Sequence, residues 1–432
     1  MTTLMIAAAM NFVTIDPGHF HAALTQKRTY PEVASEVRVF APDGAELESH
    51  LKLIDSFNSR KDEPTAWREN VYRGADYLAK FKAAAMAGEL GDRPIAIFAG
   101  KNDCKGDYVL AAVEAGVNVL ADKPLAITPD VFAKTERAAR LAEKKGLFFA
   151  DIMTERNEIT TILQRALTMD GELYGVQEKG TPDDPAVTKV SVHHYCKLVN
   201  GAPLKRPGWY YDTKVQGEGI TDVTTHLVDL VQWETFPDQK LDKGDVEIVS
   251  AKMWPTMISP EQFKLSTGGE LKETIAVDAN GEFTWRLRGV HCKVSVVWNF
   301  MPPKGTGDTH YSMMRGTKAE VFIRQGEKEG YKPVLYVKSR GDEAATGVAL
   351  EKSLARISKQ HAGVGCVKTD EPGTWRITYP AAYDNGHEAH FGQVVQMYLD
   401  WMKSGKADPL YIDNMLVKYH TIVQAWKKAH GK

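Results

Sequence analysis

The stretch Asn118-Val-Leu-Ala-Asp-Lys-Pro-Leu-Ala126 decides how this chain is read. Val117, Val119 and Leu120 form a short apolar run that ends abruptly in Asp122, Lys123 and Pro124, the pattern of a buried strand entering a charged turn. A proline pushes the residue before it towards extended backbone, so Lys123 is expected on a stiff segment at the strand's carboxyl end. Open α/β sheets place their ligands at that edge. Three residues alone are easily met by accident, and the flanking pattern gives them their weight.

Upstream, Pro94-Ile-Ala-Ile-Phe-Ala-Gly100 is an apolar strand, followed by Lys101-Asn102-Asp103 and a helical pattern from Tyr108 to Ala115 closed by Gly116. Downstream, a helix over Asp130 to Lys145 ends at Gly146 and delivers the strand Leu147 to Ile152. Strands separated by glycine-ended helices are βαβ units and imply a parallel sheet. The chain opens the same way, with a strand over Asn11 to Asp16, the turn Pro17-Gly18-His19-Phe20-His21 and a helix over Ala22 to Lys27. That is a dinucleotide-binding opening with a degraded fingerprint: Gly18 is the middle glycine, while Asp16 and His21 stand where the others would be. The next strand, Glu36 to Ala41, is followed by Pro42-Asp43, so the carboxylate expected on an adenosine ribose is displaced and NAD against NADP stays open. Residues 44–92 read as an insertion, with a helix over Leu78 to Ala87.

With 432 residues, 43% hydrophobic and 25% charged, the chain is long enough for two domains, expected at 11–155 and 156–432. A net charge of -2 gives no reason to expect nucleic acid or an acidic membrane as partner and favours a small molecule. The four cysteines form no CxxC pair and are expected to be thiols. Leu4 to Met10 is apolar but too short to span a bilayer, so a cytoplasmic protein is expected, or a periplasmic one if this run is the remnant of an export signal.

Gly18, Ala99 to Asn102, Glu114-Ala-Gly-Val-Asn-Val-Leu-Ala-Asp-Lys-Pro-Leu-Ala126 and Arg156 occur in an order that resembles the Gfo/Idh/MocA oxidoreductases, relatives of glucose-fructose oxidoreductase and inositol dehydrogenase. Their Glu-Lys-Pro signature stands here as Asp122-Lys123-Pro124, and Gly217-Glu-Gly-Ile-Thr-Asp-Val-Thr-Thr-His226 is similar to their glycine turn followed by Asp-x-x-x-His. The resemblance implies a Rossmann-like parallel sheet followed by an α+β domain with a large, open, mostly antiparallel sheet, whose face commonly makes a homo-oligomer. It further implies a nicotinamide cofactor held by Asp16, Gly18, His19, Phe20, Asn102, Asp122, Lys123 and Arg156, and catalysis by Lys123, Asp222 and His226.

The second motif also makes sense physically. On a helix Asp222 and His226 share a face, so the carboxylate can orient an imidazole suited to proton transfer near neutral pH. His193 and His194 open the second sheet, Lys205-Arg-Pro-Gly-Trp209-Tyr210-Tyr-Asp212 sets aromatics beside cations, and His387 follows Gly386. These are candidates for a sugar site, although a plain hydrophobic corner explains Trp209 as well. His387 and His390 lie three apart with no third ligand at fixed spacing, so no metal is expected there. The resulting expectation is an oxidoreductase acting on the secondary alcohol of a sugar, glycoside or polyol with NAD or NADP, NAD being favoured. His226 or Lys123 would be the base. The rivals are a redox-assisted glycoside hydrolase on the same residues and a non-catalytic sugar sensor.

Overall fold

The computed structural model describes residues 9–199, 202, 203 and 205–432. Most of the run Leu4 to Met10 therefore lies outside the described residues. The chain divides into two compact units, the first running to Thr154 and including Glu388–Ile412, the second comprising Glu155–His387 and Asp413–Lys432.

In the first unit, strands β1 (Asn11–Ile15), β2 (Glu36–Ala41), β3 (Arg68–Arg73), β4 (Pro94–Phe98), β5 (Asn118–Asp122) and β6 (Phe149–Ile152) form one sheet in the order β3-β2-β1-β4-β5-β6. Every pairing is parallel. β1 and β5 are buried at every residue and β4 at all but its first, because helices cover both faces of such a sheet. The strand order reverses at β1/β4, the crevice where doubly wound folds bind nucleotides.

Residues 44–92 are not an insertion. They hold the helix Ala45–Ser59, β3 and the helix Tyr77–Met86, an ordinary pair of crossovers. β3 is an edge strand whose sequence Arg-Glu-Asn-Val-Tyr-Arg alternates exposed with half-buried residues and is nowhere fully buried, so it lacks the apolar run that marks β4 and β5. Nor is the second unit continuous from residue 156. The helix His387–Ser404 returns almost entirely to the first unit, where Tyr398 Oη donates to Phe148 O at 2.9 Å and the following Tyr411 Oη donates to Asp151 O at 2.9 Å.

A buried polar cluster lies beneath β3. Gln26 Nε2 donates to Glu69 Oε1 at 2.7 Å, and His50 Nε2 is 3.9 Å from Glu69 Oε2. Burial pushes the Glu69 carboxyl up to about 7 and His50 down to about 4. Because Glu69 is raised in the folded state, its contribution to stability is present below its unfolded value and is lost as pH rises through about 7. Glu69→Gln is therefore expected to be neutral at pH ~5 and to stabilise the first unit by roughly 2–3 kcal/mol at pH ~8. Urea unfolding at the two pH values measures the difference.

The second unit is built on a nine-stranded sheet. Its strands are β7 (Val187–His194), β10 (Val246–Ile258), β11 (Ile275–Leu287), β12 (Val290–Asn299), β13 (Thr309–Arg315), β14 (Ala319–Gln325), β15 (Val334–Ser339), β16 (Gly365–Lys368) and β17 (Thr374–Thr378). The short strands β8 (Leu198–Val199) and β9 (Ala202–Pro203) pair separately. The order is β10-β11-β12-β7-β13-β14-β15-β17-β16, antiparallel except where β12 meets β7. The glycine turn before residue 222 follows from packing: a Cβ on Gly219 would stand 2.2 Å from the carbonyl carbon of Asn280 on β11. All four cysteines are free thiols. Among the described residues no helix is long and apolar enough to cross a membrane.

Candidate active site

At the carboxyl edge of the first sheet three turns converge. Asp16 takes φ +46°, the left-handed backbone that a glycine usually supplies, so the first position of the fingerprint keeps its geometry without its glycine. Its Oδ2 accepts from Tyr108 Oη at 3.1 Å, and burial raises its pKa. Gly18 N donates to Asp16 O at 2.8 Å and His19 N to Ala99 O at 3.0 Å. A Cβ on Gly100 would lie 2.4 Å from Asp16 O, which locks the turns after β1 and β4 together. The expected helix over 22–27 is only His21–Leu24, so little helix dipole faces this turn, and Phe20 beside it is exposed.

β5 ends where the sequence places it, with Asp122 buried and Lys123 half-buried. Asp122 Oδ2 lies 2.9 Å from His21 Nδ1. Burial opposes the ionised carboxylate, but His21 and Lys105 outweigh it and keep Asp122 well below the usual range. Sequence reading missed Lys105. This side chain, 1% exposed, donates to Asn102 Oδ1 at 2.6 Å, Asp122 O at 2.8 Å and Pro124 O at 3.1 Å, clamping the Asp-Lys-Pro turn. No local signal distinguishes it from a surface lysine at the start of a helix. Asn102, expected on the cofactor, is part of that clamp.

The second unit gathers a different set. Asp222 is buried and precedes the helix Thr224–Thr235, so the i, i+4 pair straddles the helix start rather than lying within it. His226 is in the first turn and lines a cavity of about 410 Å³. Val223, Leu227 and Leu230 form its apolar side, while Glu155, Glu158, His193, Lys197, Asp308, His310 and His387 form its polar side. Asp308 organises this polar side: Oδ1 is 2.8 Å from His194 Nδ1, Oδ2 is 3.4 Å from His193 Nδ1, and Lys197 Nζ also binds it. Burial would raise its pKa, but the His193 hydrogen bond and Lys197 together hold it well below the carboxylate range.

His310 Nδ1 lies 2.8 Å from Ser191 Oγ, and burial lowers this imidazole to about 4, so it stays neutral. His387 Nδ1 is 3.3 Å from Glu155 Oε1. Glu158 caps the helix Ile159–Thr168, and burial raises its carboxyl to about 7.

Some candidates lie elsewhere. Lys205 donates to Leu265 O at 2.7 Å and, like Trp209 and Tyr210, does not line this cavity. The cation of that corner is Arg206, 4.4 Å from the Tyr210 ring and 5.4 Å from that of Trp298. Arg156, expected on the cofactor, is in the second unit and grips Asp229 with Nε–Oδ2 at 2.6 Å and Nη2–Oδ1 at 2.8 Å; Lys418 Nζ reaches the same carboxylate at 2.9 Å.

A doubly wound sheet of this order followed by a nine-stranded open sheet is a two-part architecture whose first part has a nucleotide-binding crevice. Residues 163–430 match the family described as "Putative oxidoreductase C terminal domain". A crystal structure of a "putative oxidoreductase from Parabacteroides merdae ATCC 43184" shares 47% identity with a TM-score of 0.93, covering 98% of this chain and 97% of that one. The fold alone is shared with levoglucosan dehydrogenase in complex with NADH and levoglucosan, at 13% identity, TM-score 0.62 and 98% of each chain. It is also shared with GenD2 from gentamicin A biosynthesis in complex with NAD, at 15% identity, TM-score 0.60, and 98% and 95% coverage. No curated protein matches the chain. The chain belongs to the Gfo/Idh/MocA oxidoreductases, in the branch carrying that C-terminal domain.

Proposed function

We propose that this protein is an NAD-dependent oxidoreductase that oxidises a secondary alcohol of a sugar, glycoside or polyol. The observation that carries the reading is the cavity of the second unit, which combines His226, His193 braced by Asp308, and Lys197 with an apolar flank of Val223, Leu227 and Leu230; His194, on the same Asp308, is buried behind it. At about 410 Å³ it lies within the size range of small-ligand sites, and its mixture of donors and acceptors suits hydroxyl groups. The folds that bind NADH with levoglucosan, or NAD, support the same substrate class and cofactor.

The residues of the first unit fit a dinucleotide. The strand order supplies the crevice, Asp16 reproduces the glycine backbone, and Gly18 and Gly100 keep the turn free of side chains. Asp43, two residues past β2, carries the carboxylate nearest to where an adenosine ribose would lie, with Arg73 Nη1 3.4 Å from its Oδ1. A nicotinamide held there would supply the hydride acceptor. Of the second unit's residues, His226 is the group to take the hydroxyl proton, with Asp222 four residues before it to orient it; of the first unit's, Lys123 at the end of β5 is the group to donate a hydrogen bond or act as the base. His193, held by Asp308, positions neighbouring hydroxyls.

Asp308→Asn weakens the hold on His193, His194 and Lys197 and is expected to raise the sugar KM about tenfold with kcat little changed. Steady-state kinetics separates the two parameters.

Glu158 favours a second reading. A carboxyl raised to about 7 that lines the cavity can donate a proton to a departing aglycone, as redox-assisted glycoside cleavage requires. The deciding experiment is to denature purified protein and assay the supernatant for NAD(H) and NADP(H), then to add glycosides to native protein while following reduced nicotinamide absorbance. Accumulating reduced cofactor indicates the dehydrogenase. Aglycone release without accumulation indicates the cleavage reaction. Protein that carries no dinucleotide and takes none up on titration overturns both.

A further inference from the structure

Beyond that reading, we propose that His19, His21 and Asp122 in the first unit form a binding site for a divalent transition metal such as Zn²⁺, Mn²⁺ or Fe²⁺. One ligand atom from each residue lies within 4.8 Å of the other two. Ligands around a metal at about 2.1 Å stand roughly 3–3.5 Å apart. His21 Nδ1 and Asp122 Oδ2 are already 2.9 Å apart, so only His19 has to close in, by a side-chain adjustment.

The donors are prepared for this. Asp122 is buried at the end of β5 and stays ionised. Lys105 fixes its backbone through Asp122 O and Pro124 O. The His21 ring is braced by Phe391 at 4.5 Å and crosses the His19 ring nearly at right angles at 4.0 Å. His19 stands late in the turn after β1 and His21 opens the helix His21–Leu24; both are partly exposed, so an ion has an entry path. Two imidazoles and one carboxylate make a facial set that leaves the other positions to water or to oxygens of a bound ligand. The sequence treated His19 and Asp122 as cofactor contacts and placed its metal question at His387 and His390; His21 pairs with Asp122 only through the packing of β1 beside β4 and β4 beside β5.

The test strips the full-length protein with chelator, dialyses it against Zn²⁺ or Co²⁺, counts retained metal by elemental analysis and records the Co²⁺ visible spectrum. X-ray absorption at the zinc edge then counts imidazoles. The expected result is about one metal per chain with two imidazoles in its shell. His19→Ala and Asp122→Asn are expected to weaken binding at least tenfold, and His193→Ala in the second unit to bind as the parent does. Circular dichroism confirms that each variant is folded. Parent protein that retains no metal, a shell without two imidazoles, or uptake lost with His193→Ala and kept in Asp122→Asn each overturns the proposal. NADH fluorescence titration of metal-free protein reports separately on the nucleotide site, so either idea can fall without the other.

Discussion

Lys123→Ala is expected to lower turnover by about 10²–10⁴-fold while leaving the unfolding temperature unchanged. The two halves of this result come from different atoms. The turn that carries Lys123 is held by Lys105 through Asn102 Oδ1, Asp122 O and Pro124 O, and by the fully buried strand β5. Removing the half-buried Lys123 side chain leaves those bonds in place. What goes is an amine at the carboxyl edge of the sheet, which as the ammonium would polarise the reacting oxygen and as the neutral amine would accept its proton. Lys123→Arg should not restore the rate, because a guanidinium is planar and does not lose its proton at accessible pH. His226→Ala is expected to fall in the same range. Comparable turnover in all three variants and the parent would end the assignment; the assay is reduced nicotinamide formation with a sugar substrate, beside a thermal melt.

Asp229→Asn is expected to destabilise the second unit by about 3–5 kcal/mol, a drop of roughly 6–20 °C in its melting transition. Asp229 is 2% exposed and receives both Arg156 and the buried Lys418. Neutralising it removes the carboxylate that two cations share, and a buried charge stripped of its counter-ion costs far more than a surface pair gains. Burial alone would raise the Asp229 carboxyl, but Arg156 and Lys418 outweigh it and hold it well below the usual value. For a depressed carboxylate the stability is present above its unfolded pKa and is lost as pH falls towards the folded one. The gap between parent and variant should therefore be full at neutral pH and shrink below pH ~4. Differential scanning calorimetry at several pH values reads it, and an unchanged melt at neutral pH would show that the triad contributes nothing.

The same triad shows a role for Arg156 that its sequence does not announce. Arg156 follows closely on β6, where a cofactor contact is reasonable, and nothing nearby in sequence announces Asp229 or Lys418 as its partners. Asp308 is a similar case. It sits in a polar stretch just before β13, a strand that sequence reading did not mark, yet it braces two histidines that sequence reading did. The 44–92 segment failed for a local reason: an edge strand with one wet face does not show a continuous apolar run.

By itself the sequence determined the parallel sheet, the position of Lys123 at the end of β5, and the two motifs that belong to the oxidoreductase family. Those features are written in short-range patterns: apolar runs of four to six residues, glycine helix stops, and a proline after the lysine. Only the tertiary structure decided that Lys105 is a buried clamp, that Asp308 orders the cavity, that Arg156 serves Asp229, and that His21 meets Asp122 across 101 positions of chain. The reason is physical. A charged side chain looks the same in sequence whether water or a buried carboxylate surrounds it, and its role is settled by the desolvation and the partners that long-range packing imposes.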